Sequence, residues 1–141
     1  MEKVIFRYRF VVLLFAVVIL LGTFTACRGG YYFSHDGIYY SEMPFIELNC
    51  PRMCGTMIID GTTYQLHLSY SNNGTKIWLR DADILSQSET DEYGYLLDYD
   101  KALIWEADTK EENGKLYLTV TEDNISDYVG KTIVLEFQPY E

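Results

Sequence analysis

The chain has 141 residues, 11 basic and 21 acidic side chains, a formal charge of −10 and an aromatic content of 16%. That length suits one small domain with a single core once any leader is set aside. The acidic balance argues against nucleic-acid binding, because phosphates demand a surplus of Lys and Arg on the binding face.

The N-terminal segment has the three parts of a secretory signal. Lys3, Arg7 and Arg9 form a positive region, Phe10 to Leu21 an unbroken apolar run, and Gly22 to Ala26 a small-residue cleavage region. The context Leu21-Gly22-Thr23-Phe24-Thr25-Ala26-Cys27 resembles the lipobox of bacterial lipoproteins, with Phe24 where Leu is usual. The resemblance implies that residues 1–26 are a signal peptide, cut off before Cys27. Cys27 then carries the lipid, diacylglycerol and palmitate, on the extracytoplasmic face of the bacterial cell membrane. An uncleaved anchor and ordinary cleaved secretion are the competing readings. All three place residues 28–141 outside the cytoplasm, since the basic residues fix the orientation.

Residues 27–36 read as the lipidated cysteine and a flexible tether, with Arg28-Gly29-Gly30 as spacer. Nine extended residues from Arg28 to Asp36 reach at most ~30 Å, which keeps the following domain near its membrane. Without the leader the chain has eight basic and twenty acidic side chains. Such a domain is repelled by anionic head groups and projects away from the bilayer.

From residue 37 the dominant pattern is alternation, which places every second side chain on one face of a strand. In chain order the expected strands are 37–42, 45–49, 55–60, 62–71, 75–81, 101–109, 115–122 and 131–139. Tyr64, Leu66, Leu68 and Tyr70 give the clearest case, with Thr63, Gln65, His67 and Ser69 on the other face. Asp60-Gly61 is the strongest hairpin signal, and Ser71-Asn72-Asn73-Gly74 and Glu111-Glu112-Asn113-Gly114 are two more. Ile125 to Val129 is expected to make one helical turn capped by Asn124 or Ser126 and ended by Gly130. The tether and residues 86–95 are the only segments whose composition suggests disorder.

Eight short sequential strands tend to close on themselves and remove their edges. The expected fold is therefore all-β, a small antiparallel up-and-down barrel over residues 37–141, with a two-sheet sandwich as the alternative. Gly37-Ile38-Tyr39-Tyr40, Gly55-Thr56-Met57-Ile58-Ile59-Asp60-Gly61 and Gly130-Lys131-Thr132-Ile133-Val134-Leu135-Glu136-Phe137 resemble the strands of lipocalin-like or calycin-like barrels. The tryptophan that lipocalins carry after the opening glycine is replaced here by Tyr39 or Tyr40. That resemblance implies the barrel and, as one alternative, carriage of a small lipophilic ligand. A barrel of so few residues is narrow, and Trp105, Phe137, Leu66, Leu118, Ile59 and Leu135 are expected to fill it.

Cys50 and Cys54 flank one turn, and outside the cytoplasm such a pair invites a disulfide. Their Cys-x₃-Cys spacing is not the redox motif, and with only His35 and His67 available no zinc site is expected. Asp81, Asp83, Glu89, Asp91, Glu92, Asp98 and Asp100 form an acidic segment without EF-hand spacing. It is read as a solvated loop that meets a basic protein partner. No nucleophile elbow accompanies the serines and histidines. No cofactor is expected. The expected function is that of a non-enzymatic, membrane-anchored β-domain binding a protein or envelope partner. An envelope-polymer hydrolase is a third reading, requiring two converging carboxylates.

Overall fold

Alternating apolar positions and tight turns build the wall of the molecule directly from the chain. The computed structural model describes residues 37–139. The strands are β1 (Gly37–Glu42), β2 (Phe45–Asn49), β3 (Cys54–Ile59), β4 (Thr62–Tyr70), β5 (Lys76–Asp81), β6 (Leu103–Glu112), β7 (Lys115–Asp123) and β8 (Thr132–Pro139), with one helix, α1 (Ala82–Gln87). Each strand pairs antiparallel with the next, and β8 returns to β1, giving a closed eight-strand barrel.

The tight turns work as their residues demand. Asp60 and Gly61 both have positive φ, 50° and 79°, and so do Asn113 and Gly114, at 53° and 73°. These are the mirror-image turns whose twist matches that of the flanking strands. Met43–Pro44, joined by a cis peptide bond, connects β1 to β2. Extra residues in the ladder at Leu79/Arg80 and Glu106/Ala107 bend β5–β6 and β6–β7.

The inward positions of every strand fill the axis. Tyr39, Leu48, Met57, Leu68, Leu79 and Trp105 are fully buried, as are Leu118 and Leu135. Of the six residues expected inside, Leu66, Leu118, Ile59, Trp105 and Leu135 are buried, and Phe137 is half-buried against the core. The two-sheet alternative is replaced by closure through the β1–β8 ladder.

Three local expectations are corrected. The strand expected at 101–109 begins later, at Leu103, because Ala102 N–H is captured by the Asp98 carbonyl at 3.0 Å. The helix α1 was not expected; its six residues are too few to show a period, and it rests on the Asp81 cap. Residues 125–129 are not a helical turn. Asp123 holds them instead, accepting from Ile125, Ser126 and Tyr128 N–H at 2.8–2.9 Å and from Ser126 Oγ at 2.6 Å.

Because the strands alternate in direction, one end of the barrel carries only the turns after β2, β4 and β6. The other end carries the Met43–Pro44 and Asp60–Gly61 turns, residues 82–102 and residues 124–131. Gly37 opens β1 at the short-turn end.

Candidate partner-binding site

The longest excursion, residues 82–102, starts as a cap and ends as a clamp. Asp81 accepts from the N–H groups of Asp83 and Ile84 and so starts α1. Beyond the helix, Asp91 builds a small hairpin. Its carboxylate accepts from Tyr93 and Tyr95 N–H, both at 2.9 Å, and its own N–H reaches the Tyr95 carbonyl. Leu97 N–H closes onto the Glu89 carbonyl at 2.9 Å, and Thr90 bridges Leu96. The expected disorder at 86–95 is thus replaced by hydrogen bonds that an aspartate supplies to a turn.

This hairpin turns its large side chains to solvent. Tyr93 is 76% exposed, Tyr95 72% and Leu97 59%. The segment is then laid back on the barrel wall by Arg80, an outward position of β5 that is nonetheless buried. Arg80 Nε donates to the Tyr99 carbonyl at 3.2 Å and Nη1 to Ser69 Oγ at 2.9 Å. Its guanidinium lies 3.8 Å from the centre of the Tyr99 ring, a cation–π contact.

The seven acidic residues divide by task. Asp81 and Asp91 are spent on local backbone, and Asp98 pairs with Lys101 at 2.9 Å. The carboxylates of Asp83, Glu89, Glu92 and Asp100 have no partner among the described residues, and all four residues are exposed. The acidic segment read from the sequence is therefore brought to one excursion. The aromatic residues between the acids, which sequence reasoning passed over, are its most exposed apolar groups.

A second feature opens at the same end of the barrel. A groove of about 580 Å³ is lined by Ser41–Phe45, Ile58–Asp60, Tyr128 and Lys131–Val134. It lies beyond the last β1–β8 register pair, Tyr40↔Glu136, and Lys131 Nζ sits 4.8 Å from the centre of the Tyr128 ring at its rim.

The short-turn end instead turns polar groups inward. The Tyr39 side chain is fully buried, and burial, with the Glu111 carboxylate adding to it, raises the pKa of its hydroxyl. Burial also pushes the Cys50 thiol up to about 12, with Glu111 adding to the effect. Tyr70 Oη donates to the Cys50 carbonyl at 3.2 Å. Cys50 is buried, Cys54 is exposed, and both are free thiols, so the expected disulfide is not formed in this structure. His67 sits half-buried on the outer face of β4. Cys27, residues 1–26 and His35 lie outside the described residues. No group of three or more His, Cys, Asp or Glu suited to a metal occurs among the described residues.

No protein-family model matches the chain, and neither a curated protein nor a solved structure matches it. The closed barrel bears out the expected all-β, up-and-down fold.

Proposed function

We propose that this protein is a lipid-anchored, extracytoplasmic, non-enzymatic barrel that presents residues 81–100 to a basic protein partner. The observation that carries this reading is the Asp91-built hairpin. It holds Tyr93 and Tyr95 in water, in a stretch of chain that also carries Asp83, Glu89, Glu92 and Asp100, none of which has a counter-charge among the described residues. Aromatic faces and carboxylates together suit Arg and Lys side chains, which stack on the one and pair with the other. Ordering the hairpin in advance lowers the entropy lost on binding.

The anchor is the second part of the proposal. A chain held by lipid on Cys27 enters the barrel at Gly37, at the short-turn end. Residues 82–102 lie at the opposite end of the barrel from Gly37. Two acyl chains make such an anchor stable where one is marginal. Cys27→Ser abolishes metabolic acyl labelling on this reading; labelling that persists in that variant contradicts it.

The partner is tested with a fluorescent octa-arginine peptide and the full-length chain. Binding is expected, weakening as salt rises because the contacts lie in solvent. Replacing residues 89–97 by Gly-Gly should remove most of it. Binding that survives both the excision and high salt overturns the proposal.

A further inference from the structure

We propose that the groove at the long-loop end is a binding site for a small amphiphile, an apolar body carrying one protonated amine. The inference does not rest on the acidic hairpin, which belongs to the β5–β6 connection.

The floor of the groove is made by inward positions of three strands. Ser41 of β1, Ile59 of β3 and Ile133 of β8 each line it, and the alternation of burial along each strand turns these residues into the barrel. Two of the three are isoleucines. The third is small, and a hollow of about 580 Å³ stands open beside it, within the ~300–1,000 Å³ of small-molecule sites. Ser41 is only 9% exposed, and its hydroxyl has no hydrogen-bond partner among the described residues. The buried guanidinium of Arg80, by contrast, is engaged by Tyr99 and Ser69. Buried hydroxyls are ordinarily paired, so one that faces a hollow marks a place for a polar atom of a ligand.

The walls and rim sort the chemistry of that ligand. Phe45, Ile58, Val134 and the Tyr128 ring offer apolar surface. At the rim stand Glu42 and Asp60, both exposed and neither ion-paired with a Lys or Arg among the described residues. Lys131, the cation of the lining, sits 4.8 Å from the centre of the Tyr128 ring, whose face takes up part of its charge. The chain's charge of −10 adds to the same field. Two carboxylates against one partly engaged ammonium favour a cationic head group, and the apolar walls favour an alkyl or aryl body.

Tyr128 also supplies a reporter. Its ring packs on Trp105 with centroids 5.1 Å apart, so a ligand against Tyr128 alters Trp105 emission. The chain has one other tryptophan, Trp78, on the outer face of β5. Trp78→Phe leaves Trp105 as the sole emitter.

The test titrates the full-length Trp78→Phe chain with 4-phenylbutylamine, 4-phenylbutanol and 4-phenylbutanoate, which share a body and differ in charge. A saturable change is expected with the amine. The alcohol should bind about fivefold more weakly, the worth of one exposed charge pair, and the carboxylate more weakly still. Glu42→Gln/Asp60→Asn should bring the amine down to the level of the alcohol. Ser41→Val removes the hydroxyl and fills the hollow, and it should abolish the response to all three. Should that variant unfold, the order of the three ligands decides alone. Binding of the carboxylate as tight as that of the amine, equal binding of amine and alcohol, or no response to any ligand overturns the proposal. So does a response undiminished in Ser41→Val. A Tyr93→Ser/Tyr95→Ser chain should keep the amine response, so failure of the hairpin reading and failure of this one are distinguishable.

Discussion

The two ends of this barrel are made by the same eight strands and put to different use. At the short-turn end, connections of two to five residues pull the strands together, and the polar groups Tyr39 and Glu111 turn into the core. At the other end two connections are two-residue turns but the other two, residues 82–102 and 124–131, are long; acidic and aromatic side chains of residues 82–102 turn outward, and the β1–β8 ladder stops before the strands do. A closed ladder satisfies the wall's backbone by itself, so loops at one rim are free to carry recognition. On the proposed reading the short-turn end holds the fold and the long-loop end meets the partner.

Substitutions can break or sharpen that contrast. Trp105 is where the wall supports the elaborate end: its ring packs on Tyr128 at 5.1 Å, and its buried indole N–H has no acceptor among the described residues. Trp105→Ala should lower unfolding free energy by about 3–5 kcal/mol in denaturant titrations. Trp105→Phe should lose far less, since the position uses the volume and not the N–H.

Arg80→Met keeps the stem but removes the donors to Tyr99 and Ser69. A loss of about 2 kcal/mol is expected, with faster amide exchange at residues 96–102 while the short-turn end is unchanged. Equal acceleration at both ends would show that the excursion is part of the wall.

Asp123 makes a smaller and pH-dependent contribution. Burial alone works to raise its pKa, but the hydrogen bonds from Ser126 and from the Ile125, Tyr128 and Ser126 N–H groups outweigh it, and the net shift is downward. A carboxyl depressed in the fold stabilises above its unfolded pKa, and that stability is lost as pH falls through the folded value. Asp123→Ala should therefore cost about 1–2 kcal/mol at neutral pH, with the difference from wild type shrinking in acid.

The smallest effect tests the short-turn end. With Cys50 buried and its thiol raised to about 12, alkylation at pH 8 should label Cys54 quickly and Cys50 only after unfolding. Labelling of neither would reveal an oxidised pair.

Much of the wall was legible in the chain. The alternation at Tyr64–Tyr70 and the Asp60-Gly61 and Asn113-Gly114 turns are local signals, and they carry strand order with them because each strand meets its neighbour in sequence. The 82–102 excursion was not legible. Its order comes from single side chains, Asp91 gathering two N–H groups and Arg80 reaching across to Tyr99, and no period records such contacts. Asp123 in place of Asn124 as the holder of the last loop is a similar case. The acidic half of the proposed site could be counted from composition. Its aromatic half could not, because whether Tyr93 and Tyr95 face core or water is settled by the hairpin they sit in.

The most direct measurement is the affinity of the full-length chain for octa-arginine, compared with the Tyr93→Ser/Tyr95→Ser variant at one salt concentration. The substitution leaves the charge untouched, so it separates the hairpin from the general acidity of the molecule. A loss of about tenfold is predicted, corresponding to two exposed cation–π contacts. Unchanged affinity would mean that the acidic field alone draws the peptide, and would contradict the assignment of residues 81–100 as a built recognition surface.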